Sequence, residues 1–439
     1  MKRSLLPELI RWKENPDRKP LILRGARQTG KTWLMNALGS KAFEETVYIN
    51  FERSRNLAEL FTDSFDIPSI IQALQVHSGK RIHPHTTLLI FDEIQEAPGA
   101  ITALKYFYED APEYCIIAAG SLLGVALHRS VSFPVGKVDF MDVYPMSFYE
   151  FLDAVGEHEM LEIVQNQNWN LISVFRNKLT ERLRQYYIVG GMPEAVAAFA
   201  KSADYGKVRK IQKNILEAYE LDFSKHAPSN DIPRLRMVWN SIPGQLAKEK
   251  RKFVYSHIKE GARAKDFEMA LAWLTDCGQV QKIHRVSKPG LPLQAYEDVT
   301  AFKLFLLDVG LLAAMTNLSP KVILDGDKVF TEFKGALTEQ FVCQQLVSQN
   351  TYPVYYWSAD RGTSEVDFLL QIDDNIVPVE VKAEENLKSK SLKAYHDKFS
   401  SNVAIRTSLS DYRKDGWMVN VPLYAFCAFL ENGFNVNGG

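Results

Sequence analysis

The residues best able to do chemistry stand near the start of the chain, in Gly25-Ala26-Arg27-Gln28-Thr29-Gly30-Lys31-Thr32. This is G-x-x-x-x-G-K-T with every constrained position filled. Glycines let such a loop curl so that its backbone N–H groups face phosphate oxygens, and the helix that follows adds its positive N-terminal pole. All eight residues, Gly25, Ala26, Arg27, Gln28, Thr29, Gly30, Lys31 and Thr32, are therefore expected to line a nucleotide. Lys31 would reach the β- and γ-phosphates, and the Thr32 hydroxyl would ligate Mg²⁺. A second centre follows Lys31 by 61 residues, where the apolar run Thr87–Phe91 ends in Asp92 and Glu93. Acids at the carboxyl end of a buried strand suit phosphoryl transfer: Asp92 would hold Mg²⁺ through water, and Glu93 would polarise the attacking water.

A third constellation lies near the C-terminus. Glu365–Leu370 and Ile376–Lys382 read as strands, with Asp373-Asp374 between them as a turn signal. A two-residue turn sets Ile372 opposite Asn375 and Asp367 opposite Glu380. Lys382, two residues on, shares that face. Two carboxylates and an ammonium converge in this reading. Asp367 and Glu380 would bind Mg²⁺ or Mn²⁺, Lys382 would activate water or stabilise a developing phosphate charge, and Glu339 would complete or orient the metal shell. Glu339 sits in Lys334–Leu346, an amphipathic stretch expected to be helical.

Elements of matching length must position these groups. Short apolar runs at Leu21–Arg24, Val47–Phe51, Thr87–Phe91 and Cys115–Ala119 alternate with helical stretches, which predicts α/β architecture with a parallel sheet covered on both faces. From about 151 to 230 the pattern is helical, and Leu179, Leu183, Tyr186 and Tyr187 form one core stripe. Gly190-Gly191-Met192-Pro193 breaks it with a turn. Lys265–Cys277 reads as a helix closed by Gly278, and Gln279–Val286 with Leu293–Tyr296 as a hairpin; together these resemble a winged-helix module.

Charge is unevenly placed. The 439 residues carry a formal charge of −1, yet residues 201–290 alone carry +8. Binding of nucleic acid by bulk charge throughout is excluded, whereas a local phosphate-contacting surface in the middle segment is expected, with DNA as the partner. The alternative is a solvated helical face. Cys115, Cys277, Cys343 and Cys427 form no CxxC pair, which points to a reducing compartment without a disulfide framework. No stretch has the ~20 apolar residues of a membrane span, and the N-terminus has no signal-like apolar region. A cytoplasmic protein, with an oligomer left open, is the expectation.

These segments together resemble the bacterial and archaeal AAA+-type P-loop ATPases that carry a C-terminal PD-(D/E)xK nuclease-like domain of unknown function. The resemblance is carried by Gly25–Thr32, Leu88–Glu93, Gly120-Ser121, Tyr144–Phe151, Gly190–Glu194, Lys303–Gly310 and the Asp367, Glu380, Lys382 set, with Val366 where the nuclease motif places Pro. It implies four parts: a P-loop ATPase domain over 1–150, a helical lid over 151–230, a winged-helix-like region over 231–325 and a restriction-endonuclease-like α/β domain over 326–439. It also implies that Ser121 senses the γ-phosphate. Many relatives carry Gly-Arg where this chain has Gly136-Lys137, so the arginine-finger role falls to Lys137 without a bidentate fork, or to Arg129. Two functions follow as expectations. One is an ATP- and Mg²⁺-dependent machine acting on nucleic acid through a metal-dependent nuclease. The other is an ATP-operated switch or scaffold whose nuclease-like domain binds without cutting. A signalling NTPase with protein partners alone is a third.

Overall fold

The computed structural model describes residues 2–62, 65–120, 133–248, 251–325, 331–360, 364–385 and 388–432. The chain divides into two units, one of Lys2–Tyr144 with Asp276–Gln279 and one of Pro145–Thr275 with Val280–Gly439.

The first unit is built on five parallel strands: β1 (Leu21–Arg24), β2 (Glu45–Asn50), β3 (Thr87–Asp92), β4 (Cys115–Ala119) and β5 (Asp139–Asp142), in the order β2-β3-β4-β1-β5. The apolar runs noted above become these strands because both faces are covered. Leu21, Leu23, Leu88, Ile90, Cys115 and Ile117 pack on one side, and Ile22, Leu89, Phe91, Ile116 and Ala118 on the other. Among the described residues, the longer helices of this unit are α1 (Leu6–Glu14), α2 (Lys31–Ala42), α3 (Ile67–Ser78) and α4 (Pro98–Asp110). The chain crosses from β1 to the far edge at β2 and works back, so β1 lies at the point where the strand order reverses. That is where open parallel sheets bind ligands.

The second unit begins with helices: α5 (Phe148–Ala154), α6 (His158–Gln165), α7 (Trp169–Val174), α8 (Arg176–Val189), α9 (Pro193–Ser202), α10 (Tyr205–His226) and α11 (Ile232–Leu246). Leu179, Leu183, Tyr186 and Tyr187 are buried, as their spacing on one face of α8 requires. After α11 come α12 (Ala264–Asp276), β6 (Val280–Val286) and β7 (Glu297–Leu306), then α13 (Val309–Met315), α14 (Pro320–Asp325) and α15 (Thr331–Gln349). The sheet is completed by β8 (Val354–Ser358), β9 (Glu365–Ile372), β10 (Asn375–Val381), β11 (Ala404–Ser408), β12 (Arg413–Asp415) and β13 (Met418–Pro422). Two further helices complete the unit, α16 (Lys390–Phe399) and α17 (Phe426–Glu431).

The partner of β6 differs from the sequence expectation. Leu293–Tyr296 is a short 3₁₀ turn, and the strand paired with β6 is Glu297–Leu306. Pro289, Gly290 and Pro292 interrupt any earlier ladder, since proline offers no N–H to it. The hairpin β6–β7 is also no free-standing wing. Eight strands form one sheet in the order β12-β13-β11-β10-β9-β8-β6-β7, so residues 280–306 share a sheet with residues 354–422.

A buried carboxylate holds the helices to this sheet. Asp308 precedes α13, and its Oδ1 accepts from the Leu311 N–H at 2.9 Å. Its Oδ2 accepts from Gly191 N–H at 2.6 Å and from Gln344 Nε2 at 3.1 Å. Burial pushes its carboxyl above the usual range, while the donated N–H groups oppose that. Gly190 has φ +70°, and a Cβ there would run into the Asp308 carboxylate. The Gly190-Gly191 turn and the Leu307-Asp308-Val309-Gly310 segment are thus two sides of one contact. Asp308→Ala would leave the buried Gly191 and Leu311 N–H groups without this acceptor, at roughly 1–3 kcal/mol each before relaxation, and Gln344 with Tyr186 alone. The expected loss is roughly 3–5 kcal/mol in urea unfolding, with a smaller loss for Asp308→Asn. A change under about 1 kcal/mol for Asp308→Ala would refute this role.

Candidate functional sites: a P-loop and an acidic node

In the first unit, β1 delivers the loop and α2 begins at Lys31. The loop's shape follows from its residues. Gly25 has φ +133°, and a Cβ there would collide with the Val143 carbonyl; Gly30 has φ +95°. Gln28 also takes a left-handed φ of 65°. The Thr29 hydroxyl donates to Ala26 O at 3.0 Å and closes the curl. From outside, the buried Arg3 guanidinium donates to Thr29 O at 2.7 Å and to Tyr144 O at 2.8 Å.

Lys31 Nζ lies within the curl, 2.8 Å from Gly25 O and 2.7 Å from Ala26 O. Burial lowers its pKa to about 8, with Glu93 and Asp92 opposing that shift. Asp92 ends β3 and is 4% exposed. Its Oδ2 accepts from the Thr32 hydroxyl at 2.8 Å and from the Tyr48 hydroxyl at 2.7 Å. Its Oδ1 accepts from the Glu93 N–H at 3.1 Å. The chain turns sharply there, with Glu93 at a left-handed φ of 51°, and Gln95 Nε2 donates to Glu93 Oε2 at 2.7 Å. Backbone held in this region by a non-glycine residue is a feature of functional sites.

The structure brings Lys31, Thr32, Asp92 and Glu93, which the sequence singled out, to one place. Sequence reasoning missed Arg3, Tyr48 and Gln95. Tyr48 stands on β2 opposite Ile90, near the strand's carboxyl end, which was its one legible signal. Burial raises its phenol to about 12, so it stays a hydrogen-bond donor to Asp92. A hydroxyl and a carboxylate meeting at 2.8 Å, beside a lysine and a curled loop, are the donors Mg²⁺ takes alongside nucleotide phosphates. Thr32 and Asp92 therefore fit that ion. Lys137 is tied to Glu109, with N–O at 2.9 Å. Ser121 and Arg129 lie outside the described residues.

In the second unit the β9–β10 hairpin has the expected register, with Ile372 opposite Asn375 and Phe368 opposite Val379. Lys382 Nζ lies 2.8 Å from Glu380 Oε1, and burial raises the Glu380 pKa. Asp367 Oδ2 accepts from the Val381 N–H at 2.8 Å. The surroundings of Glu339 and Asp367 were not foreseen. Lys303 Nζ lies 2.8 Å from Glu339 Oε1, 2.6 Å from Glu365 Oε1 and 3.8 Å from Asp367 Oδ1. Arg251 pairs with Glu339 and approaches Asp367 at 4.0 Å. Burial lowers the Arg251 pKa, and Asp367 and Glu365 oppose that.

The expected metal ligands Glu339, Asp367 and Glu380 each stand beside a cation. Glu339 and Asp367 face Lys303 and Arg251, and Glu380 faces Lys382. Among the described residues, no group of three or more His, Cys, Asp or Glu side chains is arranged to hold a metal. No described helix is long and apolar enough to cross a membrane.

Three family models match parts of the chain. Residues 17–152 match an AAA domain, residues 180–322 the domain of unknown function DUF8612, and residues 334–426 the domain of unknown function DUF4143. No curated protein matches. Similar solved structures include a Walker-type ATPase of Pyrococcus abyssi, at 14% identity and TM-score 0.45 over 70% of this chain and 95% of that one. The ORC2 protein of Aeropyrum pernix, in ADPNP–ADP complexes, matches at 12% and 0.39 over 78% and 94%. The ORC1 protein of Aeropyrum pernix in complex with DNA matches at 14% and 0.28 over 72% and 93%. At these scores the likeness assigns no role to this chain.

The depressed Lys31 pKa has a measurable consequence. Polyphosphate beside the ammonium would raise that pKa, so nucleotide binding above pH 8 should take up protons, and affinity should weaken as pH rises past 8. Calorimetry in buffers of different ionisation enthalpy should show greater proton uptake at pH 8.5 than at pH 7. Equal uptake at both would mean Lys31 is charged throughout. By geometry and by the family model alike, residues 17–152 form a P-loop ATP-binding domain of AAA type.

Proposed function

We propose that this chain is a Mg²⁺-dependent ATPase that works as an ATP-operated switch on nucleic acid, its C-terminal sheet serving as a module that does not cleave. The observation that carries the first half is the meeting of Thr32, Asp92 and Lys31 at the carboxyl ends of β1 and β3. Lys31 and the loop N–H groups would bind the phosphates, and Thr32 and Asp92 would hold Mg²⁺, which neutralises charge on the leaving group. Glu93, set by the left-handed turn and by Gln95, would orient the attacking water. Ser121 would contact the γ-phosphate, and the helices over 151–230 would act as the lid.

Three features support nucleic acid as the partner. The middle segment holds the basic surplus. Its order, α11, a one-residue bridge from Lys252 to Lys303, α12, then the β6–β7 hairpin, suits a winged-helix-like reading. Lys259 and Arg263, which precede α12, Lys265 in its first turn and Lys288 after β6 are exposed. Part of the surplus is spent inside the protein, since Arg251 meets Glu339 and Arg285 meets Asp298 and Asp360. The run α15, β8, β9, β10, α16, β11 supports a nuclease-like fold for the C-terminal part. The cations against its acids favour the non-cleaving reading over the metal-dependent deoxyribonuclease. Oligomerisation and a cytoplasmic setting are compatible with this reading.

Glu93→Gln is expected to keep nucleotide affinity and to lower ATP turnover about 100-fold or more. DNA affinity should fall with salt. Changing Lys259, Arg263, Lys265 and Lys288 to Gln should flatten that dependence by about 0.9 log unit per lost phosphate contact. A variant with unchanged affinity and slope would remove this surface from the proposal.

A further inference from the structure

The acidic node draws on four separate stretches of chain. Lys303 comes from β7, Glu339 from α15, Glu365 and Asp367 from β9, and Arg251 from the segment before the Lys252–Lys303 bridge. The side chains of Lys303 and Glu339 are 0% exposed, and those of Glu365 and Asp367 are 15% and 16% exposed. The Lys303 ammonium also lies over the Tyr356 ring, 5.0 Å from its centre. A divalent ion needs several oxygen ligands at about 2.0–2.6 Å, among them one or two carboxylates not already committed to another cation. Here Glu339 and Glu365 each place an oxygen within 2.8 Å of one ammonium, and Asp367 follows at 3.8 Å.

We propose that Lys303 is the resident cation of this node: its ammonium takes the place of a divalent metal, so the C-terminal domain binds none. Three carboxylates against one ammonium and one guanidinium leave a single net negative charge. A divalent ion added there would meet two fixed cations at close range. Lys303 is also not removable by dialysis or chelation, so the node is permanent and joins the β6–β7 hairpin to the rest of the sheet. This deepens the non-cleaving reading given above.

The test counts Mn²⁺ by electron paramagnetic resonance on the full chain, with a hydrolysis-resistant ATP analogue bound. One tight Mn²⁺ per chain is expected, at Thr32 and Asp92. A second tight Mn²⁺ that Asp367→Asn abolishes would overturn the proposal. A DNA-cleavage assay on the same protein separates the two readings. Cleavage with one Mn²⁺ bound would refute the non-cleaving function and leave the role of Lys303 intact, while a second Mn²⁺ without cleavage would do the reverse.

A thermal series adds a readout of the charge itself. Lys303→Met strands buried carboxylates and should lower the melting midpoint by ~10 °C. Adding Glu365→Gln removes one stranded charge and should recover part of that loss. A double variant no more stable than Lys303→Met would refute the charge role. The wild-type Mn²⁺ count stands even where Lys303→Met fails to fold.

Discussion

A fully buried ammonium on β7 constrains the second unit. The last six residues of this strand are buried, and Lys303 lies among Ala301, Phe302, Leu304, Phe305 and Leu306. A charge in that setting is tolerated only where opposite charge and hydrogen bonds surround it. Glu339 on α15 and Glu365 on β9 supply them. The helix and two strands must therefore meet at one depth and register. Gln340, the next residue of α15, strengthens that fixing: it accepts from Leu306 N–H at 2.9 Å and donates to Leu306 O at 2.6 Å. Beyond it, Gln344 reaches Val309 N–H and Asp308, so one face of α15 reads along the chain from the acidic node to the clasp on Gly191.

The two lysines of the two sites show how burial can be used in opposite ways. Lys31 is surrounded by carbonyl oxygens, which satisfy its protons without supplying full negative charge, and its pKa falls to about 8. Its ammonium would gain most from a polyanionic ligand. Lys303 already has carboxylates at 2.6 and 2.8 Å. A further ligand there would have to displace one of these partners. Anions meet the remaining carboxylates, and cations meet Lys303 and Arg251.

Much of the first site was legible in the sequence because its geometry is local. A G-x-x-x-x-G-K-T run dictates its own backbone, and an apolar strand ending in Asp-Glu dictates where the acids emerge. The β9–β10 register was legible for the same reason, since Asp373-Asp374 sets it over two residues. The acidic node was not. Positions 251, 303, 339 and 365 share no period, and only the fold brings them together. Lys303 opened a segment carrying the family resemblance, yet nothing in that segment marked its lysine as a partner for Glu339. The same distance in sequence hid Arg3 behind Thr29 and moved the partner of β6 from 293–296 to 297–306.

The unforeseen partners also change what the legible motif means. Asp367, Glu380 and Lys382 on one hairpin suggested metal chemistry because their spacing allows it. Spacing states which groups can converge and leaves open what already stands between them. At an effective dielectric constant near 20, unit charges about 4 Å apart interact by about 4 kcal/mol, so a divalent ion beside one such ammonium is repelled by about 8 kcal/mol. The three carboxylates of the node attract the ion as each cation repels it, so its exclusion rests on the contacts those carboxylates already make. Carboxylate ligands freed of their present partners could offset such a sum, but Glu339 and Glu365 would first have to give up contacts made at 2.6–2.8 Å. On the proposed reading the ion pairs prevail, and carboxylates whose spacing would suit a metal site hold a sheet together instead.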